Sequence, residues 1–215
     1  DVKKYGQKAE ALKKAINDNF WVEEDGYYAS YLYGRQNLTR TQQSETLGES
    51  FCVLFGIADE DRAAKVISSM PVGEFGPPIF SPQIVSQPDY HNNGVWPYVT
   101  SFWGKAAAKV GNETALMHAL ACNVRTASIY ATNYENYSFN TGNPYTTQIN
   151  SPNMLWGLSG FMGLFHRTFF GLEFTKKGLA LNPFIPTVLA GTRKLEAFPY
   201  RGMKLDITVS GSGNE

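Results

Sequence analysis

The chain has 215 residues, 19 basic and 19 acidic, long enough for one domain with a core of its own. At 43% hydrophobic and 18% charged it is no disordered polymer. Zero net charge without a basic cluster leaves no electrostatic footprint for nucleic acid, and no apolar run approaches the roughly 20 residues of a membrane span.

In chain order, residues 3–20 place Tyr5, Ala9, Leu12, Ile16 and Phe20 on one stripe, with charges on the other face, which predicts an amphipathic helix. Further helices are expected at about 44–57, 60–70, 96–110, 113–132 and 153–170. The second has a capped start in Ser44 and Thr46, with Glu45 and Glu49 answering the helix dipole. The sixth is apolar nearly all round, so deep burial is expected. After Gly171 the pattern turns to alternation, and "KLDITVSG" reads as a strand. The expected fold is therefore all-α over residues 1–171, with a C-terminal β segment at 172–215.

Connection lengths alternate. Residues 58–59 and 111–112 are tight turns between antiparallel helices, whereas 21–43, 71–95 and 133–152 are long enough to demand a function. The long three should meet on one face. They carry Trp21, Tyr27, Tyr28, Tyr31, Tyr33 and Arg35; then Tyr90, His91, Asn92 and Asn93 up to Trp96; then Tyr134, Glu135, Tyr137, Phe139 and Tyr145. Aromatic rings cover the apolar faces of sugars, while amides, arginine and carboxylates bind hydroxyl rims, so the composition suits a carbohydrate ligand, though ordinary aromatic packing gives the same composition. Asp89 after Pro88 fits an Asx turn. Cys52 and Cys122 fall in apolar helical patterns and read as buried free thiols; His118 and His166 read as structural. Histidine and cysteine spacings suggest no metal, and no motif calls for a cofactor.

Three stretches carry a family resemblance: "AEALKKAINDNFWVEEDGYY", "YHNNGVWPYVTSFWGKAA" and "YENYSFNTGNP". Their order resembles the catalytic region of six-hairpin glycosidases, closest to glycoside hydrolase family 63 and its mannosylglycerate-hydrolase-like relatives. The resemblance implies about half of an (α/α)6 toroid and an inverting, α-glucosidase-like hydrolase. It implies Glu135 as general base, with Trp96, His91, Asn92, Asn93, Tyr90, Tyr137 and Arg35 binding substrate. It places the family's acid, an Asp, before the region matching Asp1, so the N-terminal half of the barrel is expected to be missing. The chain departs from the family at "HNNGVWP", which leaves the sugar open. No targeting segment shows the compartment; a glycan-degrading enzyme suits the periplasm or the exterior. Two alternatives stay open: a non-catalytic carbohydrate-binding or scaffold module, and a six-hairpin epimerase or lyase, against which the wide spacing of the histidines counts.

Overall fold

The computed structural model describes residues 1–213. The helices are α1 (Val2–Asn19), α2 (Thr46–Leu54), α3 (Glu60–Ser69), α4 (Pro97–Lys109), α5 (Glu113–Tyr130) and α6 (Leu155–Leu164). Short strands fill the connections: β1 (Trp21–Val22), β2 (Tyr27–Tyr28), β3 (Leu32–Tyr33), β4 (Thr39–Arg40), β5 (Ser44–Glu45), β6 (Phe80–Ser81), β7 (Gly94–Val95) and β8 (Tyr137–Ser138). After α6 come a π-helical turn (Phe165–Phe169), β9 (Leu172–Thr175), β10 (Gly178–Leu181), β11 (Gly191–Tyr200) and β12 (Met203–Gly211).

This corrects the all-α expectation and the half-toroid implied with it. The fold is mixed, 40% helical and 22% strand, with six small antiparallel two-stranded sheets among the described residues. Two-residue strands carry no readable alternation, so the ladders inside the long connections leave no mark in the sequence.

Helix α4 is the hub, packed against α2, α5 and α6. Small residues let the axes approach: Ala106, Ala107 and Ala119 are fully buried around Trp103, Leu116 and Leu164. Trp21 and Tyr28, from the β1–β2 ladder, close this core beside α3. Asp59 caps α3 through the amide of Arg62, and Asn112 caps α5 through that of Ala115.

Two helices are less buried than their sequences suggest. α1 has no buried residue; Ile16 and Phe20 alone pack on the core, while Tyr5 and Leu12 stay exposed. Its last turn is tied down by Asn17, which donates to Ile57 O at 2.8 Å and accepts from the Tyr28 hydroxyl at 2.7 Å. α6 buries Gly157, Gly160 and Leu164 and leaves Leu155, Leu158 and Met162 exposed. Its glycines give the close contact: a Cβ on Gly160 would lie 3.1 Å from the side chain of Ser101 on α4.

A second core unites the π turn with the C-terminal strands through Phe169, Phe170, Leu172, Ile185, Ile207 and Val209. β11 and β12 form its ladder, closed at Arg201–Gly202, where both residues have positive φ as a two-residue hairpin turn of the primed type requires.

Candidate functional site

Backbone hydrogen bonds bring the ends of the long connections together. β5 pairs with β6, and β7 with β8. Between the pairs, Thr46 N donates to Ile79 O at 2.9 Å, and Ile79 N to Gly94 O at 2.8 Å. β5 runs directly into α2, and β7 reaches α4 through Trp96 alone. The stitched belt therefore lies at the N-terminal ends of α2 and α4, where the helix dipoles are positive.

Gly94 fixes the turn that presents the aromatic residues. A Cβ there would fall 1.7 Å from Tyr90 O, so no larger residue fits. That carbonyl accepts from the Trp96 indole at 3.1 Å. The rings then run on in contact: Tyr90 stacks on His91 at 4.6 Å, and His91 lies 5.0 Å from Trp96. Trp96 meets Trp156 edge-on at 5.5 Å, and Trp156 stacks on Tyr98 at 5.2 Å. Trp96 is buried, His91 exposed, and Trp156 is 38% exposed at the head of α6. An open cavity of about 260 Å³ adjoins the row, lined by Phe80, Ile84, Pro88, Tyr90, His91 and Gln148.

Two carboxylates attend this row. Glu135 is half-buried; its amide donates to Ser151 O at 2.9 Å, and its Oε2 has a long 3.5 Å contact from the Asn136 amide. The Tyr90 hydroxyl is pushed up by burial and by the charge of Glu135. Glu45 is the cap of α2: its oxygens accept from Leu47 N at 3.0 Å and Gly48 N at 2.6 Å. Burial pushes its carboxyl above the usual range, against the pull of those two amides and of the nearby His91. Glu45 thus serves the start of α2 as its sequence position implies, and it also stands near His91. Ser44 and Thr46, the expected caps, instead donate to Ser81 O and Pro78 O.

No model of a known family and no curated protein matches this chain. Its site is therefore read from its own residues.

The structure brings Tyr90, His91, Trp96 and Glu135 together and gives the other candidates different work. Asn92 spends its amide on its own loop, accepting from Ile84 N and donating to Ile84 O and Gln87 O. Asn93 is buried, takes a positive φ and donates to Asp89 at 2.8 Å; its Oδ1 has no partner among the described residues. Tyr137 is fully buried, stacked on Tyr130 at 5.6 Å, and its hydroxyl accepts from Tyr134 N. A ligand does not reach it. Arg35 is exposed beyond β3, in a hairpin docked on α1 by Arg40, which donates to Asn19 O at 2.6 Å. Among the described residues no hydrogen bond or ion pair joins Arg35 to the aromatic row.

Three of the six side-chain amides of residues 133–152, those of Asn136, Asn143 and Asn150, likewise serve the backbone. Asn150 donates to Asn136 O at 2.7 Å and Pro144 O at 2.8 Å, and Asn136 to Ile149 O at 3.0 Å. These bonds replace secondary structure, which explains a loop so rich in asparagine. Trp156, Tyr98 and Glu45 are the site residues that sequence reasoning missed. A tryptophan opening a helix straight after a long loop was the available signal for the first.

Among the described residues no three His, Cys, Asp or Glu side chains lie close enough to hold a metal ion. Among the described residues no helix is long and apolar enough to cross a membrane.

Proposed function

We propose that this chain carries the general-base side of an inverting glycoside hydrolase acting on an α-linked sugar. The observation that carries the proposal is the unbroken row of rings from Tyr90 through His91, Trp96 and Trp156 to Tyr98, with the half-buried Glu135 beside it. Stacked rings suit the apolar faces of a saccharide. In this reading Glu135 holds a water and takes its proton as the water attacks the anomeric carbon. The partner acid protonates the leaving oxygen from the other side of the sugar. Following the family resemblance, that acid is an Asp in a preceding portion of a longer protein. Such a portion would also cover Leu155, Leu158 and Met162 on α6, which are 40–76% exposed.

A second reading, a carbohydrate-binding module without catalysis, rests on Glu45. Both its oxygens accept from backbone amides, so the side chain is fixed as a helix cap and is not free to turn toward a leaving oxygen.

The test is Glu135→Gln in the full-length protein, assayed on a panel of α-linked aryl glycosides and disaccharides. The expected outcome is a fall in kcat of about 10²–10⁴-fold with KM nearly unchanged. The anomer first released by the parent, read by NMR, should be inverted. A near-normal kcat in Glu135→Gln overturns the assignment. Sugar-dependent change in Trp fluorescence, without turnover by any form of the protein, favours the binding module.

A further inference from the structure

At the far end of α4 from the aromatic row lies a second cavity, of about 390 Å³, within the size range of small-molecule sites. Lys105 stands nine residues after Trp96, about 14 Å along the helix axis. Lys105 and Lys109 from α4, Arg167 and Thr168 from the π turn, Glu173 from β9 and Asn182 line this cavity. Three cations thus face one carboxylate.

Nothing in the described chain neutralises them. The ion pairs join Lys14 to Asp18, Lys65 to Glu23 and Arg125 to Glu74; Lys105, Lys109 and Arg167 take part in none, among the described residues. Glu173 accepts instead from the Asn182 amide at 3.4 Å. Lys109 is partly answered by the last carbonyls of α2, donating to Val53 O and Leu54 O. Lys105 has aromatic support only, its Nζ 4.6 Å from the Phe102 ring centre, and Arg167 has a ring and one backbone carbonyl, its guanidinium 4.8 Å from the Phe174 ring centre. A ring face carries no formal charge. Lys105 is moreover half-buried, and burial together with the Arg167 charge pulls its ammonium below the usual lysine range. A partly buried cation held beside another cation is costly unless an anion joins them. The donors are also of the right kind. Arg167 gives one N–H to Leu172 O at 2.8 Å, and the rest of its planar fork remains free to match two oxygens of an oxyanion.

We propose that this cavity is a binding site for a tetrahedral oxyanion group, phosphate or sulfate, free or carried on a small molecule, held between Lys105 and Arg167. The site is separate from the aromatic row and does not depend on the hydrolase reading. It is the one place in the described chain where a half-buried cation without a carboxylate partner meets a second cation around a cavity.

The purified chain is titrated with inorganic phosphate, and separately with glucose 6-phosphate, by calorimetry and by thermal unfolding, with chloride at matched ionic strength as control. Saturable binding of phosphate and a raised Tm are expected. Lys105→Met and Arg167→Met should each weaken binding by about 10-fold or more, the worth of a charge-assisted hydrogen bond. Lys8→Met, on exposed α1, should leave it unchanged. Glucose 6-phosphate binding tighter than phosphate identifies a phosphorylated small molecule as the ligand; equal binding means that the site reads the oxyanion group alone. Lys105→Met could fail to fold, which far-UV circular dichroism detects; exposed Arg167 then supplies the decisive variant. A response to phosphate no greater than to chloride, or one that survives in a folded variant, overturns the proposal.

Discussion

Glu49 is a carboxylate in the wrong solvent, and a variant with glutamine there should gain stability relative to the parent as pH rises from acid to neutral. The residue is 1% exposed in the first turn of α2. One oxygen accepts from Tyr28 N at 2.7 Å; the other has no partner among the described residues. Burial raises its carboxyl well above the usual 4.5; the Tyr28 amide opposes this, and the charge of Glu45 adds to it. The folded state therefore keeps the proton to a higher pH than the unfolded state does. The associated stability is complete below the unfolded value, near 4.5, and is lost as pH climbs toward the raised folded value. Glutamine keeps an acceptor for Tyr28 N and has no charge to lose. Its own orphan amide has a cost, but one independent of pH. The informative quantity is thus the change in the difference between Glu49→Gln and the parent from about pH 4 to about pH 7. It should favour the variant by about 1–3 kcal/mol, the cost of a buried polar atom without a partner. In a chain of this size each kcal/mol moves Tm by about 2–4 °C. Urea unfolding at a series of pH values measures it. Parallel stability curves for the two proteins would refute the reasoning, since they would mean that Glu49 ionises as freely folded as unfolded.

Two further expectations concern packing and loop order. Gly104→Ala puts a Cβ 2.8 Å from that of Ala119 and 3.1 Å from Leu164, so overpacking of about 1–3 kcal/mol should outweigh a helix-propensity gain of about 1 kcal/mol; a higher urea midpoint in the variant would disprove the close α4–α5 contact. Asn92→Ala removes three hydrogen bonds that close residues 84–92, so limited proteolysis should cut there sooner while sugar binding persists; lost binding with an intact loop would return Asn92 to the ligand.

The long, periodic helices were legible. Residues 60–70, 96–110 and 113–132 lie within two residues of α3, α4 and α5, because the helical period is written across several turns. The C-terminal strands were legible for the same reason, as alternation sustained over β12. Burial was not. α6 is apolar all round, yet its glycines and Leu164 make the contact with the core while Leu155, Leu158 and Met162 remain outside. Composition counts apolar atoms; which face is covered depends on what stands opposite. The site was legible in part. Trp96 and Glu135 stand out by type and place, but residue type does not say where an amide points. Asn92 looks like a sugar ligand in the sequence and is a backbone clamp in the fold, because a loop without regular structure must satisfy its own polar groups first. Tyr137 is likewise indistinguishable in sequence from the exposed Tyr145. Cys52 and Cys122 are buried free thiols, each pushed up to about 12 by burial.

The two carboxylates beside the aromatic row are held in different ways, and the difference sets their duties. Glu45 is anchored at both oxygens by the first amides of α2, so its geometry is rigid and its remaining lone pairs are oriented in advance. Such a group cannot swing toward a leaving oxygen without breaking its cap, which costs about 0.5–2 kcal/mol in comparable helices. It stands near His91, the ring on which Tyr90 stacks. Glu135 is tied through its backbone, its side chain carrying a single long amide contact. Its backbone is thus fixed to Ser151 while its side chain keeps lone pairs uncommitted within the described chain, which the proposed role as general base would use. Under the proposed reading the two demands of the chemistry fall to different groups: the row of rings gives the sugar a fixed surface, and Glu135, not the capped Glu45, keeps an oxygen for the proton.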